Sequence, residues 1–220
     1  MNYVPMVGII LAFKDYNNRL GFFGSEWAGL RNFEFLFKSQ DAFRIIRNTI
    51  GYNLLFIVVT MAAAIAVALL LNALHKRYLV KMYQTSFFLP YFVSWVVVGF
   101  MAKILFDYDL GVLNHVAKAF GFEATAWYQE KKWWWLILLL AHLWKTIGFQ
   151  SVIYYGALMG IDQEMYEAAK MDGCSGWKSI RYITLPSIIP TIMVLFILAI
   201  GKVMRADFGL FYYVPNNSGT

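Results

Sequence analysis

From Ile50 to Leu71 the sequence runs without a single charged residue. The hydrocarbon core of a bilayer is about 30 Å thick and takes roughly 20 mostly apolar residues to cross as a helix. Within that core a chain must pair its own backbone N–H and C=O groups, which a helix does internally. Two further segments meet the length: Thr85–Phe106, whose one charge is Lys103 near its end, and Trp134–Gly156, which contains His142 and Lys145. A fourth, Ser187–Gly201, is shorter and begins around Pro190, where a proline near the first turn is tolerated. Tyr3–Phe13 is apolar but about half the crossing length and reads as part of a first span. Composition agrees. The 220 residues are 60% hydrophobic and 15% charged, whereas soluble domains average about 45–50% and about 25%. A soluble or disordered chain is excluded on those grounds. The expected fold is all-α, a polytopic transmembrane helix bundle. It forms one domain over 1–220, with spans near 3–13 (partial), 50–71, 85–106, 134–156 and 187–201.

The connections differ in character. Lys14–Thr49 is long and polar and ends in DAFRIIRN, where Phe43, Ile46 and Ile50 recur at helical spacing. Val112–Phe120 reads as a short helix, followed by an aromatic and basic border from Trp127 to Trp135, of the kind that marks a membrane–water interface. Tyr212–Asn217 reads as an extended loop. With alternating spans, Lys76, Arg77, Lys81, Lys170, Lys178 and Arg181 share one side. Lys14, Arg19, Arg31, Lys38, Arg44, Arg47, Lys118, Lys131 and Lys132 share the other, which the positive-inside rule would place in the cytoplasm.

Chemistry of the catalytic kind has little to work with. The net charge of +6 is scattered, so anionic lipid headgroups account for it without nucleic acid. A single cysteine, Cys174, excludes an internal disulfide and a cysteine metal site, and His75, His115 and His142 lack ligand spacing. The phosphate-binding GxxxxGK[ST] pattern is missing, since the glycines at Gly21 and Gly24 have no following lysine. No converging catalytic set of a membrane enzyme is visible. A secondary transporter needs ionisable residues at the midplane, for which His142 and Lys145 alone qualify.

Between the last two spans lies GIDQEMYEAAKMDGCSGWKSIRYITLPSIIP, from Gly160 to Pro190. Asp162 suits a helix N-cap, and Glu164 and Glu167 place negative charge in the early turns, where the helix dipole favours it. Gly173 suits the left-handed position that ends a helix, and Trp177–Tyr182 forms a second helical piece. Small residues at Ala168 and Ala169 let another surface approach closely, with Glu167 available to a partner's Arg or Lys. Taken alone, this segment fits either a docking helix or a solvated amphipathic loop.

The spacing of Glu167-Ala168-Ala169, three residues, Gly173, nine residues, Ile183, one residue and Leu185-Pro186 resembles the EAA loop of ABC importer permeases, including Asp172 before the glycine. MVGIILAFKDYN, RNT at Arg47–Thr49, LLLNAL at Leu69–Leu74, SFFLPYFVSWVVVG at Ser86–Gly99 and IYYGALMGIDQEMYEAA at Ile153–Ala169 are similar to the branch handling oligosaccharides and polysaccharide fragments. The resemblance implies that loop 161–186 is a cytoplasmic coupling segment, against the charge count, with Glu167, Ala168, Ala169, Asp172, Gly173, Ile183, Leu185 and Pro186 seated on an ATP-hydrolysing subunit. It implies a multi-pass protein of the bacterial plasma (inner) membrane that binds no cofactor itself, ATP and Mg being held by two separate ATP-binding subunits. The other implied partners are a second homologous permease, forming a heterodimer, and an extracellular solute-binding protein. A six-helix core is implied as well, of which this chain would lack the start of the first helix and all of the last. The alternative within the family is another cargo, such as a glycerol phosphate or an amino acid.

Lys145 is the conspicuous intramembrane residue. A mid-helix charge costs about 2.5–3.5 kcal/mol on insertion scales and turns toward a bundle interior or aqueous cavity. His142, three residues earlier, shares its face. Two readings stay open: a pathway position that meets sugar hydroxyls or a uronic carboxylate, and a structural bond to a carboxylate or carbonyl on a neighbouring helix. Gln150 completes the candidate pathway set, although Asn53, Gln150 and Ser94 also suit interhelical hydrogen bonds.

Overall fold

The computed structural model describes residues 4–38, 40–74, 76–174 and 176–215. Tyr3, His75, Asn216 and Asn217 lie outside them. The described chain divides into two compact units, one up to Ile50 and one from Gly51 onward.

In the first unit Val4–Phe13 is a 3₁₀ helix of 10 residues rather than α-helix. At about 2 Å of rise per residue it reaches roughly 20 Å, still short of a bilayer core. The segment that follows is more structured than its polarity suggests. Strand β1 (Lys14–Asp15) pairs antiparallel with β2 (Glu26–Trp27), bringing Lys14 opposite Trp27 and Phe13 onto the Trp27 ring at 6.0 Å. The short helix α1 (Gly21–Gly24) fills the connection, where Lys14 Nζ donates to the Phe22 carbonyl at 3.0 Å. Helix α2 (Arg31–Lys38) is fastened by Arg31 to Asp15 at 2.6 Å and by Asn32 Nδ2 to the Ala12 and Lys14 carbonyls.

Helix α3 (Gln40–Asn72) contains the uncharged run, and DAFRIIRN is its helical entry, as the spacing predicts. The span expected at Thr85–Phe106 is not one straight helix. Helix α4 (Arg77–Phe88) passes into a 3₁₀ turn, Leu89–Phe92, and then breaks; α5 (Trp95–Phe106) leaves at 101° to that arm. The sequence reason is local. Pro90 donates no backbone hydrogen bond, Val93 is extended, and Ser94 Oγ accepts from the Val97 N–H at 3.4 Å to start a new helix. Helix α6 (Val112–Ala119) follows, as expected, and its Asn114 is buried, bonded to Thr125 and to Trp127 Nε1.

Helix α7 (Trp134–Met159) is the next crossing helix, and α8 (Gln163–Met171) the loop helix after it. The last crossing helix starts earlier than Ser187: α9 (Trp177–Ser179), a π-turn at Ile180–Thr184 and α10 (Leu185–Ile200) join into one helix of 24 residues. The wider turn accommodates Pro186, because the Leu185 N–H reaches back five residues to Ile180 O instead of four. Nor is the chain extended at Tyr212 and Tyr213, which belong to α11 (Phe208–Tyr213).

Two apolar clusters fix the arrangement. Where α3 and α7 begin, Tyr52, Phe56, Trp134, Ile137 and Leu138 pack with Val98, Ala102 and Phe106 of α5 and with Leu210 and Val214. Tyr128 donates to the Val214 carbonyl at 3.0 Å there; burial, with the nearby Asp107 charge, pushes its phenol up to about 12. Where α3 and α7 end, Ala64, Ala68, Tyr154 and Leu158 pack with Ile188 of α10. The bent pair α4–α5 therefore leads from the end where α3 finishes to the end where α7 starts. Only 28%, 22% and 11% of the apolar windows of the three long crossing helices are buried within the chain. The remainder faces outward, which water would penalise and lipid does not.

Helix α4 meets α7 backbone to backbone at Gly148, where an added Cβ would strike the Phe87 carbonyl. Small residues permit such close approach between membrane helices. We expect Gly148→Val to lower the melting temperature in detergent by at least 5 °C, since the obstacle is backbone that no rotamer change relieves. Gly156→Ala, whose Cβ would meet nothing within 4 Å, should change it by less than 1 °C.

Candidate functional site

Two places answer to the residues singled out by the sequence. The first is α8 and its junction with α10. Asp162 Oδ1 accepts the Glu164 N–H at 3.0 Å and caps the helix start. At the other end Gly173, at φ +75°, turns the chain so that the Cys174 N–H reaches Ala169 O at 2.8 Å and the Gly173 N–H reaches Lys170 O at 3.1 Å. These are the paired bonds of a glycine-terminated helix, and they hold the Glu167–Ala169 turn rigid from both sides. Glu164, Glu167, Ala168 and Met171 recur three or four residues apart and are all exposed, so they form one outward stripe.

The opposite face of α8 is anchored. Tyr166 Oη and Thr184 Oγ1 lie 3.0 Å apart, and Thr184, in the π-turn, is buried. Half-buried Ile183 and Leu185 flank it, Leu185 against the core cluster, while Pro186, Asp172 and Gly173 are exposed. The two halves of the motif, far apart in sequence, are thus brought side by side through Tyr166 and Thr184. Sequence reasoning passed over both, although Thr184 stands between the motif's Ile183 and Leu185.

The second place is an open-sided cavity of about 960 Å³ lined by α3, α7 and α10 and by the turn that follows α10. His142 and Gln150 line it. The His142 ring lies flat on Phe56 at 4.4 Å, and its Nδ1 is buried with no hydrogen-bonding group of the described residues in reach. Lys145 is placed elsewhere. Its Nζ donates to the carbonyls of Tyr91 (2.9 Å) and Val93, with the Trp95 ring at 5.3 Å. Those carbonyls sit at the break between α4 and α5, so Lys145 satisfies acceptors that the interrupted helix leaves open.

The turn after α10 brings in residues that span-by-span reading leaves out. Lys202, Arg205 and Asp207 line the cavity with Asn53 of α3, whose Nδ2 donates to the Val203 carbonyl at 2.9 Å. Asp207 caps α11 through the N–H groups of Gly209 (2.9 Å) and Leu210 (3.3 Å), and accepts from Trp95 Nε1 at 3.1 Å. The signal was a cluster of three charges within six residues of Gly201, read as the end of a span rather than as the lining of a cavity. Among the described residues no group of three or more His, Cys, Asp or Glu side chains is arranged to hold a metal ion.

The fold is that of a helical bundle whose long helices are apolar enough to cross a membrane, with a cavity between them. Residues 60–210 match the family described as binding-protein-dependent transport system inner membrane component, and the chain belongs to that family. It is 36% identical over 215 residues to Protein LplB of Bacillus subtilis, covering 98% of this chain and 68% of that one. It is likewise 36% identical over 214 residues to the polygalacturonan/rhamnogalacturonan transport system permease protein YteP of the same organism, covering 97% and 67%. Among solved structures it resembles a chain of a bacterial ABC transporter involved in the import of the acidic polysaccharide alginate. There the TM-score is 0.87 at 29% identity, covering 100% of this chain and 75% of that one. A bacterial alginate ABC transporter in complex with alginate pentasaccharide-bound periplasmic protein gives 0.86, also at 29% identity, covering 100% and 74%.

Removing the Lys145 amine strands two carbonyls in apolar surroundings, at about 1–3 kcal/mol. We expect Lys145→Met to unfold at measurably lower denaturant in detergent and to open the α4–α5 break to proteolysis, whereas Lys145→Arg should retain most of the stability.

Proposed function

We propose that the chain is the transmembrane permease subunit of an ATP-driven, binding-protein-dependent importer of oligosaccharides or polysaccharide fragments. The observation that carries this reading is α8. It is short, capped at both ends, and anchored on one face through Tyr166 and Thr184, and it offers Glu164, Glu167, Ala168 and Met171 on the other. A short capped helix with an exposed outward stripe suits a cleft in a separate ATP-hydrolysing subunit. Ala168 lets the surfaces close, and Glu167 supplies a charge for a partner's cation.

On this reading α8 lies in the cytoplasm and the connection Lys14–Thr49 outside. Closure of two ATP-binding subunits pushes α8, and the push passes through the Tyr166–Thr184 contact into α10. The crossing helices then rock between outward- and inward-open states as rigid bodies. Hydrolysis belongs wholly to those subunits, which hold ATP and Mg. A second homologous permease supplies the other half of the pathway, and an extracellular binding protein delivers the saccharide. Support for the cargo class comes from the similarity to the polygalacturonan/rhamnogalacturonan permease and to the alginate importer, both of which handle polysaccharides. The setting is the bacterial plasma membrane.

Glu167→Lys, in the assembled transporter, should leave the permease in the membrane at wild-type levels while ATP hydrolysis no longer drives uptake, with at least a tenfold fall in transport per ATP. Gly173→Pro should behave alike, because proline is excluded from the left-handed φ of +75°. Wild-type uptake by both variants would falsify the coupling role of α8. Purification of the full transporter with an ATP-binding subunit and a second permease is expected; a solitary homodimer counts for a secondary transporter instead.

A further inference from the structure

The cavity has an unassigned electrostatic character. Lys202 and Arg205 both line it, and among the described residues neither forms an ion pair. Both stand on the turn that covers the end of α10, where the chain has left the apolar run and a charge can keep its hydration. The one carboxylate lining the same space, Asp207, is already engaged. One of its oxygens accepts from Gly209 N and Leu210 N, and the other from Trp95 Nε1. Those three neutral donors, held by α11 and α5, fix the carboxylate in place without removing its charge, so the described lining carries two cations against one anion and stays net positive.

The rest of the lining suits a sugar. Gln150 offers an amide and the rings of Phe149 and Phe208 offer apolar surface, while the Asn53 amide is already bonded to the Val203 carbonyl and Tyr154 is buried in the core. The volume of about 960 Å³ lies at the upper end of the roughly 300–1,000 Å³ of small-molecule sites, large enough for a chain of sugar units. The other candidate cation for a carboxylate, Lys145, is spent on the Tyr91 and Val93 carbonyls.

We infer that Lys202 and Arg205 are carboxylate-recognising residues of the transport pathway, and that the cargo is an acidic, uronate-bearing oligosaccharide. This rests on the permease reading above. A guanidinium pairs with a carboxylate in bidentate fashion, and a nearby ammonium adds a point charge. Two such contacts separate a uronate from its neutral ester more strongly than hydroxyl contacts do, since the ester keeps every ring hydroxyl and loses only the charge.

The test uses the complete transporter, with its binding protein and ATP-binding subunits, in proteoliposomes of zwitterionic lipid. The probes are tetragalacturonate and its methyl ester. Wild type should take up the acid at least tenfold faster than the ester. In K202Q/R205Q that ratio should fall about tenfold, and K202R/R205K should restore most of it. The binding protein is common to all three, so a change in the ratio belongs to the permease. The wild-type ratio needs no variant, and a ratio near one overturns the proposal by itself, as does a double variant that keeps the wild-type ratio. Uptake of neither saccharide overturns the proposal alone when the ATP-binding subunit and second permease still co-purify, and the permease reading with it when they do not.

Discussion

A helix interrupted at membrane depth leaves backbone carbonyls that no water answers, and the break between α4 and α5 is where this chain meets that constraint. Pro90 withholds a donor, Val93 swings out of helical geometry and Ser94 starts afresh. The open acceptors are met by Lys145, reaching across from α7, with Trp95 and Tyr91 rings flanking the ammonium. Irregular backbone persists in a membrane when protein groups satisfy it. From the same point Trp95 bonds Asp207, and Asp207 caps α11. One bend, once satisfied, thereby sets where α5 goes, where α11 docks and how the end of α10 is roofed.

Close packing supplies what hydrophobic burial cannot, since lipid is as apolar as the helices it surrounds. Gly148 admits the backbone of α4, and Gly99 admits that of Tyr213 in α11. At these contacts a missing Cβ matters more than any side chain present. The result is a bundle held at a few points, with most of each crossing helix facing outward.

The motif at Glu167–Pro186 and the crossing runs were legible because each obeys a local rule: length of apolar sequence, cap chemistry at Asp162 and Gly173, fixed spacing of small and acidic residues. The bend at Val93 was less so. Pro90 was visible, but proline is compatible with a straight or kinked helix in a membrane, and a 101° turn needs a donor from another helix to hold it. Lys145 illustrates the same gap. Its cost in lipid was evident from sequence, whereas its choice between a cavity and a carbonyl depends on what α4 and α5 place beside it. Lys202, Arg205 and Asp207 escaped notice because they belong to no span, and only the fold-back into α11 carries them to the cavity.

Sequence alone determined that this chain crosses a membrane as helices, which runs are apolar enough to do so and which loop carries a capped, small-faced turn, because periodicity, hydropathy and capping act over a few residues. Tertiary structure decided which charges are consumed internally and which remain free to meet a ligand. That depends on the distance between groups on different helices, and electrostatics in a low-dielectric interior is settled by such distances rather than by order along the chain.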